Sequence, residues 1–205
     1  MEASFFNRYP AARDALSLLV FVFLVIIGTL FINAFIFRSF SVVGQSMEST
    51  MYTGDRLIVN RLPVTWSQIR NTPYTPSRGD VIVFKNPRYI PGGRDEYIVK
   101  RVIAFAGERV VVKDGVVKVY NDANPAGFNP DTLPTGGTPG SPTRGDESTV
   151  VTEGTIYVMG DHREGDYSCD SRELGETSCL GLIPLYDIIG PVSLRIWPLN
   201  KLQVF

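Results

Sequence analysis

The longest feature in the hydrophobic pattern is an apolar run near the N-terminus, from Leu16 to Phe37. Its sequence, LSLLVFVFLVIIGTLFINAFIF, carries no formal charge. As a helix it would span roughly 33 Å at about 1.5 Å per residue, which matches a hydrocarbon core of about 30 Å. The apolar part of a cleavable signal peptide is shorter, about 7 to 15 residues, and is followed by an A-x-A site that is not seen here. The pattern predicts a retained transmembrane helix over 16–37, with a buried core helix as the alternative.

Basic residues flank this run on both sides. Arg8 and Arg13 precede it and Arg38 follows it directly. Because cytoplasmic segments carry an excess of Lys and Arg, the pattern favours a cytoplasmic N-terminal segment (1–15) in the plasma membrane. The C-terminal part (38–205) would then be extracytoplasmic. The two sides are close to balanced, so the opposite orientation stays open.

After the run, the pattern changes to short alternating or β-branched segments bounded by turn residues, which is typical of strands. Asp114-Gly115, between two Val-rich runs, predicts a hairpin over 108–120. Only Trp66–Arg70 indicates a short helix. Further strands are predicted within Asp55–Leu62, Arg78–Pro87, Tyr97–Phe105, Thr155–Met159 and Ile188–Trp197. The expected fold class is mainly β, with a transmembrane helix followed by an irregular antiparallel β-sheet domain that carries a small hairpin extension.

Between Asn121 and Thr149 the composition shifts to Pro, Gly, Thr and Asn. A segment of this composition buries little, so we expect a long mobile loop. Loops of this length are uncommon inside a compact core, and we place it at the edge of the domain beyond the hairpin. Residues 108–152 would therefore form a variable hairpin and loop extension.

Composition and charge narrow the function classes. The 205 residues include 20 Lys+Arg and 21 Asp+Glu, so the formal net charge is −1. With no basic stripe, we expect no nucleic-acid partner. With no His/Cys cluster at ligand spacing, we expect no metal, and no motif points to a cofactor. A monomer is expected.

The loop VGQSMEST (Val43–Thr50) begins six residues after the apolar run and contains a candidate nucleophile, Ser46. A solvated juxtamembrane linker is the alternative interpretation. A hydrolytic serine needs a base and an oxyanion donor. The candidate bases are Lys100 and His162, which is the single histidine of the chain.

Lys100 lies in the strand YIVKRVIAF, where side chains two apart share a face. It therefore lies with Ile98 and Val102, while Arg101 points to the other face. Both faces are apolar, which indicates a strand buried on two sides. An ordinary lysine titrates near about 10.4, and burial disfavours its charged form, so a desolvated lysine can act as a base. The alternative is a lysine that reaches solvent or pairs with a carboxylate.

Five sequence blocks together resemble bacterial type I signal peptidases. These are membrane-anchored serine peptidases that use a Ser/Lys dyad to remove signal peptides from exported proteins. The blocks are GQSMEST, RGDVIVFKNP, YIVKRVIAFAGE, MGDHR…SCDSR and GLIP…IIG. They follow the family's order from Phe40 to Trp197, apart from the segment 121–149.

The resemblance implies roles for individual residues. It makes Ser46 the nucleophile, with Met47 next to it beside the substrate, and Lys100 the general base. It implies that Ser168 hydrogen-bonds the lysine nitrogen and orients it. The remaining matched positions, whose Asp and Arg side chains would brace the site through ion pairs, are Arg101, Gly160, Asp161, Asp170, Ser171 and Arg172.

The sequence departs from the family pattern at three places. Some members have Ser at the position of Gly44, where its hydroxyl helps to bind the oxyanion, so the Ser46 N–H would carry more of that role here. The common G-D-N reads G-D-H, and we interpret His162 as a structural hydrogen-bonding residue rather than a base. Two additional residues separate Asp161 from Ser168.

Cys169 and Cys179 are ten residues apart in the same loop. In an oxidising compartment they could form a disulfide that stabilises the fold by about 3 kcal/mol on the chain-entropy model. Free thiols are the alternative, and the bridge is slightly favoured.

The resemblance implies an acyl-enzyme endopeptidase whose partners are the signal peptides of preproteins and the lipid bilayer. Its substrates would carry small residues at the first and third positions before the cut. The peptide would bind in an extended conformation, as an added strand. Two alternatives stay open: a catalytically silent membrane-tethered β-domain, and a self-processing Ser/Lys peptidase of the repressor type.

Overall fold

The computed structural model describes residues 10–93, 96–132, 137–165, 167–172 and 179–205. Arg8, on which the predicted orientation partly rests, lies outside the described residues. A long helix, α1 (Pro10–Phe35), covers most of the predicted span. Its apolar stretch, Arg13–Phe35, is long enough to cross a membrane and is not buried against the rest of the described chain. The helix ends two residues before Phe37, the end of the predicted span.

The rest of the described chain is mostly β-structure. One further α-helix, α2 (Leu62–Ile69), and three short 3₁₀ helices (Pro130–Thr132, Leu185–Asp187 and Leu199–Lys201) interrupt it. The strands are β1 (Phe37–Ser41), β2 (Arg56–Asn60), β3 (Val81–Lys85), β4 (Tyr97–Phe105), β5 (Arg109–Lys113), β6 (Val116–Asn121), β7 (Asn124–Phe128), β8 (Glu147–Val150), β9 (Thr155–Met159), β10 (Ile183–Pro184), β11 (Ile188–Trp197) and β12 (Gln203–Val204).

Two antiparallel sheets contain these strands. The larger has eight strands in the order β1-β2-β11-β3-β4-β9-β10, with β12 paired to β11. The smaller has four strands in the order β7-β6-β5-β8 and is built on the β5–β6 hairpin. The predicted fold class is confirmed: mainly β, antiparallel, with one long N-terminal helix and a hairpin extension.

The strands with continuous β-branched or aromatic runs were predicted most closely. The bounds of β4, β9 and β11 match the prediction. The short helix was predicted over Trp66–Arg70, but α2 begins earlier in the chain, at Leu62. Pro63 accounts for the difference, because proline fits the first turn of a helix. Strand β1 was not predicted. It follows α1 almost directly and pairs with β2, from Phe37 opposite Asn60 to Ser41 opposite Arg56.

The expectation of a mobile loop over Asn121–Thr149 is wrong for much of its described part. Strand β7 pairs with β6, and β8 pairs with β5, so both edges of the hairpin are extended. Their Asn, Pro, Gly and Ser residues have low intrinsic β propensity, and pairing with preformed strand edges overrides it. Between these strands, Pro130 is buried and Thr143 is only 4% exposed. Residues 133–136 of this segment lie outside the described part.

The hydrophobic core positions the strand that carries Lys100. Ile98 and Val102 pack in one cluster with Ile82 and Phe84, while Ile103 and Ala104 pack in a second cluster with valines of β5 and β6. Strand β4 is therefore buried on both faces, as predicted. A third cluster, around Val42, Met47, Met51 and Leu57, lies under the segment that connects β1 to β2.

Candidate active site

Ser46 lies in the connection between β1 and β2, residues 42–55, which we call the Ser46 loop. Its two ends are closed by backbone hydrogen bonds, from Val42 N–H to the Asp55 carbonyl and from Gly54 N–H to the Val42 carbonyl, both 2.9 Å. Met47 and Met51 anchor the loop in the core, with 1% and 0% of their side chains exposed. The Met47 side chain therefore supports the loop from below, and Ser46 is held half-buried above it.

Lys100 approaches Ser46 from the buried strand β4. Its Nζ lies 2.6 Å from the Ser46 Oγ and 3.2 Å from the Val99 carbonyl oxygen. Lys100 is only 3% exposed. A buried amine within hydrogen-bond distance of a hydroxyl is the arrangement that a serine nucleophile and its base require. The fold brings these two residues together from positions 54 apart in the chain.

The backbone before Ser46 turns sharply at Gly44, whose φ is +98°. The Thr53 hydroxyl lies 3.1 Å from the Gly44 N–H and 3.0 Å from the Gly44 carbonyl, which holds this turn. Side chains rarely adopt this backbone conformation, so a serine at position 44 would be strained in this loop. Among the described residues, no acceptor is hydrogen-bonded to the Ser46 N–H, so this N–H is available to donate to a ligand oxygen.

Arg101, next to Lys100, forms a buried ion pair with Asp161. Its Nε lies 2.8 Å from Oδ1 and its Nη2 2.5 Å from Oδ2 of that carboxylate. The Thr50 hydroxyl donates to Oδ2 over 2.5 Å, and the Arg101 Nη1 donates to the Gly79 carbonyl over 2.8 Å. The pair therefore joins the strand of Lys100 to the Ser46 loop.

A second buried ion pair joins Asp170 to Arg172. The guanidinium Nε and Nη2 each lie 2.9 Å from a carboxylate oxygen. The same carboxylate accepts from the Ser168 hydroxyl over 2.6 Å and from the Gly160 N–H over 2.9 Å. Burial by itself would raise the pKa of Asp170, but the hydrogen bonds and charge of Arg172, with those two donors, outweigh it and hold the pKa below its usual range. Asp170 is therefore ionised.

Gly160 is where the Ser168 side chain and the Ser46 backbone converge. A Cβ at this position would lie 2.1 Å from the Ser168 Oγ and 2.3 Å from the Ser46 carbonyl oxygen. Only glycine allows this approach. The structure thus brings Ser168, predicted to orient Lys100, close to the Ser46 backbone. The hydrogen bond between Ser168 and the lysine nitrogen stays a prediction.

His162 contacts the backbone of the Ser46 loop. Its Nδ1 lies 3.1 Å from the Gln45 carbonyl oxygen and 3.7 Å from a Glu48 carboxylate oxygen, and its backbone N–H donates to the Ser46 carbonyl over 3.1 Å. Its ring stacks on Tyr167, with ring centroids 4.4 Å apart. These contacts are hydrogen bonds and ring stacking, and the interpretation of His162 as a structural residue rather than a base stays a prediction.

Cys169 and Cys179 are joined by a disulfide, with their Cα atoms 5.2 Å apart. The bridge lies beside the Asp170 turn, because Cys169 directly precedes Asp170 and the Leu180 N–H donates to the Asp170 carbonyl over 3.1 Å. The disulfide therefore closes the segment that carries the second ion pair.

Sequence reasoning missed a third buried ion pair. Arg163 is fully buried, and its two terminal nitrogens lie 2.8 and 2.6 Å from the carboxylate of Asp131. Its Nε donates to the Gly160 carbonyl over 2.7 Å. Arg163 lies in the sequence block MGDHR, and its place in that block could have indicated a role at the site. Asp131 carried no such signal because it lies in the segment expected to be mobile.

A cleft of about 640 Å³ leads to Ser46 and Lys100. Residues 40–46 and 96–100 line it, together with Leu57 and Val83. Tyr167 and Cys169 border the same cleft. Its lining is mainly apolar and includes Phe40 and Ser41 of β1 and residues 97–100 of β4.

The chain is similar to known signal peptidases over most of its length. A profile of the family described as signal peptidase, peptidase S26, matches residues 15–197. Signal peptidase I of Bacillus caldolyticus is 31% identical over 186 residues, with 88% of this chain and 90% of that protein covered. The probable signal peptidase I of Mycobacterium leprae (strain TN) is 26% identical, with 98% and 82% covered. The inactive signal peptidase IA of Staphylococcus aureus (strain Mu50 / ATCC 700699) is 27% identical, with 92% and 95% covered.

Proposed function

Because the chain belongs to the signal peptidase family S26 and is a peptidase of the signal peptidase I type, we propose that it removes signal peptides from preproteins with Ser46 and Lys100. Family membership alone does not decide catalysis, since one similar protein is named inactive. The observation that supports activity is the 2.6 Å distance between the Lys100 Nζ and the Ser46 Oγ, with the amine buried.

In the proposed mechanism, the neutral Lys100 amine takes the proton from Ser46 as the hydroxyl oxygen attacks the scissile carbonyl carbon. The negative charge that forms on the carbonyl oxygen is stabilised by the Ser46 N–H. As the peptide C–N bond breaks, the lysine gives its proton to the leaving amine. A water molecule, deprotonated by the same lysine, then hydrolyses the acyl-enzyme and restores the Ser46 hydroxyl.

The other matched residues are proposed to position this pair. Asp161 with Arg101 holds the strand of Lys100 against the Ser46 loop, and Asp170 with Arg172 holds the Ser168 turn. Ser168 orients the amine. Gly44 allows the turn that leaves the Ser46 N–H available, and the backbone at Met47 lies beside the substrate. These roles rest on the contacts described above and on the resemblance.

We further propose that α1 anchors the chain in the plasma membrane as a single span, with a cytoplasmic N-terminus. The helix is apolar and unburied, and two of its polar side chains donate hydrogen bonds to its own backbone. The Thr29 hydroxyl donates to the Val25 carbonyl over 2.8 Å, and the Asn33 amide to the Thr29 carbonyl over 3.2 Å. Because β1 follows the helix almost directly, the cleft stays near the lipid surface, where a signal peptide emerges.

Purified full-length protein in detergent, tested on a preprotein with small residues at the first and third positions before the cut, decides the proposal. Ser46→Ala should lower kcat/KM by at least about 10³-fold. Ser49→Ala is the matched control, because its hydroxyl lies in the same loop but donates to the Thr138 carbonyl. That control should stay within about threefold of wild type. Equal cleavage by Ser46→Ala and wild type would reject the assigned mechanism and favour the silent β-domain.

A further inference from the structure

Two arginines lie where α1 meets the β-domain. Arg38, in β1, is held by aromatic rings: its guanidinium carbon lies 4.6 Å from the centroid of Tyr97 and 5.1 Å from that of Phe40. Its Nη1 also donates to the Tyr97 hydroxyl over 3.3 Å. These contacts fix the direction of the guanidinium but supply no negative charge.

Arg61, just after β2, reaches the last turn of α1. Its Nη1 donates to the Asn33 carbonyl over 3.3 Å, and its backbone N–H donates to the Ile36 carbonyl over 2.8 Å. Its Nε is enclosed and has no hydrogen-bond partner among the described residues. Burial, followed by the positive charge of Arg38, lowers the pKa of Arg61. Arg38 pairs with Val59 in the β1–β2 register, so Arg61, two residues beyond Val59, is its diagonal neighbour on the same face of the sheet.

Each of the other partly or fully buried arginines of the domain has a carboxylate within salt-bridge distance. These pairs are Arg78–Glu108, Arg101–Asp161, Arg163–Asp131, Arg172–Asp170 and Arg195–Asp55. In the part of the chain that the structure describes, neither Arg38 nor Arg61 forms such a pair. Like charges in a partly desolvated place are unfavourable unless an anion joins them.

The position of the two residues indicates where that anion comes from. Helix α2 is tied to the end of α1 by a hydrogen bond from the Thr65 hydroxyl to the Phe35 carbonyl, 2.9 Å long. It exposes Leu62, Trp66 and Ile69 by 48%, 55% and 67%. An apolar helix with an exposed Trp beside the end of a membrane span is typical of the headgroup region.

We propose that Arg38 and Arg61 form a binding site for the phosphate group of an anionic phospholipid. The proposal rests on the membrane anchoring proposed above. Guanidinium groups bind phosphate oxygens through paired N–H donors, and a phosphate between the two residues would neutralise their repulsion. The lipid would thereby fix the β-domain relative to α1.

The test is thermal unfolding of full-length protein in a nonionic detergent, followed by circular dichroism. The added probes, at equal concentrations, are dihexanoyl-phosphatidylglycerol, dihexanoyl-phosphatidylcholine and inorganic phosphate. Phosphatidylglycerol at about tenfold above its Kd should raise Tm by roughly 3 to 5 °C. Arg61→Gln and Arg38→Gln should lose most of this rise, and Arg61→Lys should keep part of it. Arg56→Gln, an exposed arginine of β2, is the matched control and should keep all of it.

A full response in Arg61→Gln would mean that this arginine only caps α1, and the lipid site would be rejected. Equal rises with phosphatidylcholine, or with inorganic phosphate alone, would also reject an anionic lipid as the ligand, as would no rise at all. Ser46→Ala should respond like wild type. The proposal of lipid binding can therefore be rejected without affecting the proposal of preprotein cleavage, and the reverse is also true.

Discussion

Two buried arginine–aspartate pairs lie beside Ser46 and Lys100. They differ in how far apart the two partners are in the sequence. Arg101 and Asp161 are 60 residues apart, and the Thr50 hydroxyl joins their carboxylate from 111 residues away. Asp170 and Arg172 are two residues apart. We call these the long-range pair and the local pair. Both are almost completely buried, with bidentate geometry.

The difference in span indicates a difference in role. We propose that the long-range pair, which contacts both the strand of Lys100 and the Ser46 loop, sets the distance between the proposed nucleophile and base. The local pair shapes one turn, which carries Ser168 and contacts the backbone N–H of Gly160. Removing either pair should destabilise the fold, but the two removals should affect catalysis to different degrees.

The largest effects are expected when each carboxylate is neutralised. Asp161→Asn and Asp170→Asn should each lower the free energy of unfolding by about 3–5 kcal/mol, because each removes the negative charge that faces a buried guanidinium. Asp161→Asn should also lower kcat/KM by about 10²-fold, since small displacements of reacting groups are costly. Asp170→Asn should lower it by only about tenfold. Denaturant unfolding and preprotein cleavage measure the two quantities, with the exposed Asp122→Asn as the control.

The local pair adds a pH signature. Because the pKa of Asp170 is lowered in the fold, its stabilisation is present above the ordinary pKa of aspartate and is lost as pH falls through the folded value. Wild type and Asp170→Asn should therefore converge in stability at acid pH. If their difference stays constant down to the acid transition, or if Asp161→Asn and Asp170→Asn lose equal activity, the distinction between the pairs is wrong.

A smaller effect is expected from the disulfide beside the local pair. Replacing both Cys169 and Cys179 by Ser removes a short ring, which should cost about 3 kcal/mol on the chain-entropy model. Since the bridge closes the segment that carries the Asp170 turn, kcat/KM should fall by no more than about tenfold. Thermal unfolding and cleavage assays measure this, and treatment of wild type with a reductant should reproduce it. A loss as large as that of Asp161→Asn would place the bridge among the groups that position Ser46.

The smallest effect is expected from changing Thr50, whose hydroxyl links the long-range pair to the Ser46 loop. Thr50→Val keeps the shape of the side chain but removes its hydrogen bond to Asp161, which should cost about 1–2 kcal/mol of stability. Cleavage should fall by about three- to tenfold, because the loop is held less firmly. The exposed Thr152→Val is the control. An unchanged kcat/KM would show that the loop needs no support from this pair.

The sequence predicted strand bounds best in segments where β-branched and other apolar residues dominate. The β-branched runs of β4, β9 and β11 predicted their bounds, and the apolar residues on both faces of β4 predicted a strand buried on two sides, with a lysine that reaches solvent left open as the alternative for Lys100. The order of the family's blocks indicates Ser46 and Lys100, which lie 2.6 Å apart in the structure. Local composition and recognised motifs carry such information.

Contacts between distant segments could not be predicted in the same way. The bond from Thr50 to Asp161 and the ion pair from Arg163 to Asp131 depend on how strands are arranged in space, and neither partner has a local pattern that reveals the other. The strands β7 and β8 were missed for a related reason, since their polar residues pair only because the hairpin edges are present.

The central claim is that the buried Lys100 amine, in its neutral form, takes the proton of Ser46. The pH dependence of kcat/KM, measured for wild type and Lys100→Met, tests it most directly. We predict an acidic limb in the wild-type profile as the amine becomes protonated, and a loss of about 10³-fold in Lys100→Met without that limb. Lys85→Met, an exposed lysine on the neighbouring strand, should behave as wild type. A Lys100→Met enzyme with the wild-type rate and the same acidic limb would contradict the account.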